Sequence, residues 1–332
     1  MKKISVKLGA LAFAAALLTT MACAAETPAS DVASESESAQ TTVSDYEDET
    51  TADMPEDEHT ADEPEAAVIE AEPVVCTYTY PEYTVPSTTP SFTWEYFYEI
   101  GQYLLLSGEE AFSVTFTGYT RNQLIDDTNY VDCRLAAADY LLGQHIDLMS
   151  FYSYVGYSYT EGDNTTFTFY LVHDENTYAS ASEVTASIED FQSQVNELVT
   201  GFYESGDLKS TDSDMVVARY LYNWVCDNTV YGSNTDNPYS GYTTLTTGEG
   251  VCMGYAGLIN AMYRTAGIEC YGVGCSARFN GEGHTINCAN LDGDWYYIDA
   301  TFGDTAADYD SYFAMTRDTA DFVYELDYKW AD

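Results

Sequence analysis

The chain has 332 residues and carries 55 acidic against 11 basic side chains, a net charge of −44. Such a surface repels phosphate backbones and lacks the basic clustering that nucleic acid requires, so DNA and RNA are poor partner candidates. Lys2, Lys3 and Lys7 sit at the very start, and no further Lys or Arg follows until Arg121.

Residues 1–24 open with that positive group, continue with an apolar run from Leu8 to Leu18, and end on Ala22-Cys23-Ala24. This is the pattern of a cleaved secretory signal. Lipidation at Cys23 is a second reading, which would anchor the protein to the outer face of a bacterial membrane. Thr20 departs from the leucine usual three residues before such a cysteine, whereas the serine- and acid-rich stretch behind it fits a lipoprotein. Both readings put the protein outside the cell, and the mass of the mature amino terminus decides between them. Residues 25–91 form an acidic linker. From Glu26 to Pro73 it has hardly any large apolar residue, too little to offset ordering entropy, so disorder and an extended chain are expected.

A small α/β domain is expected over residues 92–178. Trp94 to Leu106 has helical spacing, and Ala111 to Gly118 alternates like a strand through Phe112, Val114 and Phe116. Helical spacing returns from Gln123 to Leu142. Ser150–Tyr159 and Thr165–His173 form a hairpin across Glu161-Gly162-Asp163-Asn164. His145 and His173 are isolated there and read as structural or surface histidines.

A second domain is expected over residues 179–332. Val184, Ile188, Phe191, Val195, Leu198 and Phe202 give Ser182–Tyr203 one apolar stripe. Thr211-Asp212-Ser213-Asp214 matches a capping box ahead of a helix through Val217, Leu221 and Trp224. After a loop, Cys252, Tyr255, Ala256, Ile259, Met262 and Tyr263 recur at helical spacing up to Gly267, which supplies a left-handed stop. Cys252 thereby occupies the first turn, where unpaired N–H groups favour an anion. Strands follow over Ile268–Ser276, His284–Leu291 and Asp294–Ala300. Asp292-Gly293 marks a type I′ hairpin. Counting back from that turn sets Ile286 opposite Asp299 and makes His284 a diagonal neighbour of Asp299 on one face. Cys288, Trp295 and Tyr297 share this face, which is therefore expected to pack on the Cys252 helix.

These three residues fit one chemistry. A cysteine nucleophile needs a base, which His284 supplies. The imidazole needs a group that fixes its tautomer and stabilises its charged form, which suits Asp299. The backbone N–H of Cys252 is placed to meet an oxyanion. With Cys23 in the signal and Cys252 as nucleophile, the remaining six of the eight cysteines suffice for three disulfides in an oxidising compartment, with the pairing open. No pair of tight Cys-x-x-Cys steps is present, so zinc is not expected, nor is any other cofactor.

The segments Tyr242-x-x-Leu245-x-x-Gly248-x-Gly250-Val251-Cys252-x-Gly254-Tyr255-Ala256, His284-x-x-Asn287 and Trp295-Tyr296-x-Ile298-Asp299-x-Thr301 resemble the bacterial extracellular transglutaminase-like superfamily. The resemblance covers about residues 185–305. It implies an α+β fold with a papain-like core of helices packed on an antiparallel sheet. It further implies Cys252 as nucleophile, His284 as general base and acid, and Asp299 as orienter. Tyr242 is a candidate oxyanion or substrate-groove residue, or else an ordinary packing tyrosine. Two positions depart from the family pattern. Ile286 stands where tryptophan is usual, and Asp299-Ala300-Thr301-Phe302-Gly303-Asp304 replaces Asp-x-Thr-Trp-Asp-Asp. The implied reaction is acyl transfer through a thioester, with a peptide or protein substrate. Water as acceptor makes the protein a peptidase or amidase, and an amine makes it a cross-linking enzyme. A non-catalytic surface binding module is the remaining alternative.

Overall fold

A helix without a polar face has to be enclosed by other elements, and the helix that starts at Cys252 is of this kind. The computed structural model describes residues 74–91, 93–120, 122–123, 136–138, 140–162, 164–173, 177–305 and 309–327. The signal segment, Cys23, most of the acidic linker, Cys133 and much of the helix expected over Gln123–Leu142 lie outside these residues. The other elements are α1 (Trp94–Ser107), β1 (Phe112–Thr117), α2 (Ile146–Met149), β2 (Tyr152–Glu161), β3 (Asn164–His173), α3 (Ala181–Glu204), α4 (Asp214–Asn228), β4 (Val230–Tyr231), α5 (Gly241–Thr247) and β5 (Glu249–Gly250). They continue with α6 (Cys252–Thr265), β6 (Cys270–Ala277), β7 (Gly283–Leu291), β8 (Asp294–Ile298), α7 (Ala300–Thr305), α8 (Arg317–Val323) and β9 (Tyr324–Leu326). The fold is α+β with a papain-like, transglutaminase-type core.

Within α6, Met253 alone escapes burial. Leu258, Ile259, Met262 and Tyr263 share one apolar core with Phe191, Val195 and Val199 of α3, Val217 and Leu221 of α4, and Ala289 and Leu291 of β7. Each such side chain contributes about 2 kcal/mol on burial. Glycine lets α5 cross α6 in contact. A Cβ on Gly241 would lie 2.7 Å from the backbone of Gly257 and Leu258, and one on Gly254 would lie 2.6 Å from the Pro238 carbonyl. The helix ends as its sequence implies. Gly267 takes φ 83°, its N–H donates to the Arg264 carbonyl, and the Ile268 N–H donates to that of Tyr263, a Schellman closure.

The four-stranded sheet runs β8-β7-β6-β9, antiparallel throughout. Asp292 and Gly293 both have positive φ, 56° and 98°, and Leu291 pairs with Asp294, as the I′ turn requires. The face assignment differs from expectation. Cys288, Tyr297 and Trp295 pack with Val273, Ile286, Met315, Ala320 and Tyr324, on the side away from α6. Ala289, Leu291 and Ile298 instead join the α6 core. Strand β7 is buried on both faces, so its sequence carries no alternation to distinguish them.

The start of α4 also differs. Its N-cap is Ser213 without a side-chain cap bond, so Thr211 does not close a capping box. Asp292 of the hairpin turn takes that role, accepting from the N–H groups of Asp214 and Met215 at 2.9 and 3.3 Å. A cap supplied 78 residues away leaves no local sequence pattern.

In the N-terminal part, β1-β3-β2 form an antiparallel sheet. Tyr96, Phe97, Ile100 and Leu104 of α1 cover it, packed with Val114, Phe116, Phe167 and Phe169. Residues 74–80, read as part of the linker, are docked instead. Cys76 and Tyr78 are buried, and their N–H groups donate to Thr200 Oγ1 and Asn196 Oδ1 of α3. Cys76, Cys226, Cys252, Cys270, Cys275 and Cys288 are all free and buried, so none of these forms the expected disulfides. Register explains the strand cysteines, since Cys275 pairs with His284 and Cys288 with Tyr271.

Replacing Gly241 by alanine inserts a methyl group against backbone that has no room to withdraw. Chemical denaturation should show a stability loss of about 2 kcal/mol. An unchanged midpoint would mean that α5 and α6 are not packed as tightly as described.

Candidate active site

The segment that delivers Cys252 is held on both sides. Strands β4 and β5 pair in parallel, Val230 with Glu249 and Tyr231 with Gly250. The Val251 N–H donates to the Pro238 carbonyl at 2.9 Å. Val251 is extended, with φ −101° and ψ −179°, and caps α6. Cys252 is then the first helical residue, 6% exposed. Helix geometry leaves its N–H without an intrahelical carbonyl.

His284 arrives from the start of β7 and Asp299 from the end of β8, as the hairpin count requires. His284 Nε2 donates to Asp299 Oδ2 at 2.7 Å. Asp299 is 1% exposed and has two further donors. The Tyr324 hydroxyl of β9 donates to Oδ2, and the Phe302 N–H donates to Oδ1 at 3.0 Å. The Asp299 N–H itself donates to the Tyr312 carbonyl. The ring of Phe302 lies nearly parallel to the imidazole, 4.4 Å away at 12°, and that of Tyr324 lies 5.9 Å away at 18°. Both faces favour a charged imidazole.

Burial alone would hold His284 neutral. The Asp299 charge and hydrogen bond, followed by the hydrogen bond and charge of Cys252, outweigh it and raise the imidazole to about 10. The contribution of Cys252 to that shift sets its thiol near the ring. With Nε2 committed to Asp299, Nδ1 is the nitrogen left for the thiol. The structure thus brings Cys252, His284 and Asp299 together.

Tyr242 is placed elsewhere. Its hydroxyl donates to Asp190 Oδ2 at 2.7 Å, and its ring packs on Phe151 and Phe191. Those contacts are with α3 and the α2–β2 connection. Ile286 fills the layer under α8. At Gly303, where the family pattern has aspartate, a Cβ would lie 2.8 Å from Tyr222 Cζ and still closer to its hydroxyl. The departure at 303 therefore follows from Tyr222 in α4. Asp304 keeps a structural bond, accepting from the Tyr255 hydroxyl at 2.7 Å. Tyr324 and the stacking role of Phe302 had no signal in the sequence, because neither depends on local spacing. Among the described residues, no three His, Cys, Asp or Glu side chains converge as metal ligands would.

The folded imidazole lies at about 10, above its ordinary 6.5. The pairing therefore stabilises the fold fully below the lower value and is lost as pH rises through the upper one. Nitrogen-15 spectra at pH 8 should show both ring nitrogens of His284 protonated, and in Asp299→Asn a neutral ring. A ring that titrates near 6.5 in both proteins would refute the coupling.

Residues 205–300 match the model of the Transglutaminase-like superfamily. Kyphoscoliosis peptidase of Mus musculus is 30% identical over 145 residues, which cover 39% of this chain and 20% of that protein. The Homo sapiens kyphoscoliosis peptidase is 29% identical over 143 residues, with the same coverage of 39% and 20%. The chain thus spans about a fifth of the length of these curated relatives. A crystal structure of a TGase aligns over 45% of this chain and 44% of its own, at 18% identity and a TM-score of 0.29. The matched span, residues 205–300, is a transglutaminase-like domain, and it contains Cys252, His284 and Asp299.

Proposed function

We propose that the protein is an extracellular cysteine acyl-transfer enzyme that hydrolyses peptide or protein amide bonds through a thioester at Cys252. One observation carries the reading: His284, bonded to the buried Asp299, stands beside a cysteine at the first turn of a buried helix. The name of the curated relatives, peptidase, favours water over an amine as acceptor. The secretory pattern of residues 1–24 supports the location, with Cys23 as the alternative anchor.

The steps follow from the parts. Cys252 Sγ, paired with the imidazolium of His284, attacks the carbonyl carbon, and the carbonyl oxygen gains negative charge. The Cys252 N–H at the helix start meets that charge. His284 gives its proton to the leaving amine as the C–N bond breaks, which leaves the acyl group on sulfur. Water then attacks the thioester as His284 takes one of its protons, and the thiolate leaves beside the re-formed imidazolium. Asp299 holds the ring orientation through both halves.

Four buried thiols of the described residues do not compete. Burial pushes Cys226 and Cys288 up to about 12, and raises Cys270 and Cys275 as well, so they remain protonated and unreactive at neutral pH.

Iodoacetamide should therefore modify Cys252 first near neutral pH, and His284→Ala should slow the reaction about a hundredfold. Equal rates in the two proteins would favour a binding module. Incubation with casein and a labelled primary amine separates the two enzymatic outcomes. New peptide termini without incorporated label are expected, and incorporation would assign cross-linking instead.

A further inference from the structure

Phe279 projects from the β6–β7 turn with 72% of its surface exposed. The turn that carries it is ordered by its own bonds. The Gly281 N–H donates to the Ala277 carbonyl at 2.7 Å, and Asn280 and Glu282 exchange side-chain and backbone bonds. The Arg278 N–H and Nε donate to the carbonyls of Val323 and Asp321, which tie the turn to the end of α8. Phe279 is thus exposed on a fixed backbone.

Its ring contacts that of Phe302, with centroids 5.7 Å apart. Phe302 is itself only partly buried and stacks on the imidazole of His284. An aromatic surface therefore runs without a break from the reacting imidazole out to solvent. Phe302 takes the place of the family's tryptophan, whereas Phe279 belongs to a turn outside every motif segment quoted above.

We infer that Phe279 and Phe302 form a subsite for a bulky apolar or aromatic side chain of the acyl-donor peptide, within three residues of the bond attacked. The inference rests on the proposed peptidase reading and adds a substrate class to it. Ring steps of 4.4 Å from the imidazole to Phe302 and 5.7 Å from Phe302 to Phe279 place the outer ring within the span of about three extended residues, at about 3.3 Å each. Covering that ring removes apolar surface from water on both partners. A small or charged side chain gains nothing there.

The test uses the full-length mature protein and matched tripeptidyl acyloxymethyl ketones, in which phenylalanine or serine occupies each of the three positions in turn. These electrophiles alkylate the active thiol without requiring turnover. The wild-type protein should react about tenfold faster with the phenylalanine probe at one position, and Phe279→Ser should bring that ratio close to one. A wild-type ratio near one at every position, no labelling by any probe, or a ratio that Phe279→Ser leaves intact would each overturn the subsite. Because the readout is a ratio between probes, it is separate from the iodoacetamide comparison with His284→Ala, whose failure would remove the catalytic reading itself.

Discussion

A carboxylate with 1% of its surface exposed is stable inside a protein only when donors surround it, and Asp299 imposes that condition on everything nearby. Removing one partner from a buried charged pair typically costs on the order of 3–5 kcal/mol. Three donors from three elements meet the requirement: the imidazole from β7, a hydroxyl from β9 and the Phe302 N–H from α7. The position of His284 is thus a consequence of satisfying Asp299. The geometry on which the proposed catalysis relies and structural necessity coincide in one set of bonds.

The remaining architecture brings a sulfur to that imidazole. Helix α6 has almost no surface of its own, so its tip goes where the core allows. Glycine at 241, 254 and 257 lets α5 and the Pro238 loop close around its first turns, and the β4–β5 pairing fixes the approach. The sheet supplies the opposing side. The bond to Asp299 and the stacked rings of Phe302 and Tyr324 leave the imidazole little freedom to turn. A site assembled this way resists small displacements, which matters because acyl transfer depends on placement within a fraction of an ångström.

Much of the site was legible in the sequence because it depends on counting. A two-residue Asp-Gly turn fixes register, and register brings Asp299 to His284 through alternate residues. The Cys252 helix was legible at both ends, from its glycine-rich approach and from Gly267. The failures share a physical cause. Cys288, Trp295 and Tyr297 lie in the layer away from α6, which the sequence does not reveal because β7, buried on both sides, has no alternation to read. Ser213 replaces Thr211 as cap because Asp292, remote in sequence, satisfies the helix start. Tyr324, Phe302 as a stacking ring, and the conflict between Tyr222 and a side chain at 303 arise only from tertiary packing. Cys76 and Tyr78 dock out of a stretch read as linker, because two well-placed acceptors on α3 hold them.

The central claim is that an acyl group passes through the sulfur of Cys252. Acid quenching during turnover of a peptide substrate, followed by mass analysis of the fragment that contains Cys252, observes that group directly. The account requires an acyl adduct on Cys252 that neutral hydroxylamine removes and that Asp299→Asn greatly diminishes. Product formation with Cys252 unmodified throughout, or undiminished product from Cys252→Ala, would contradict it.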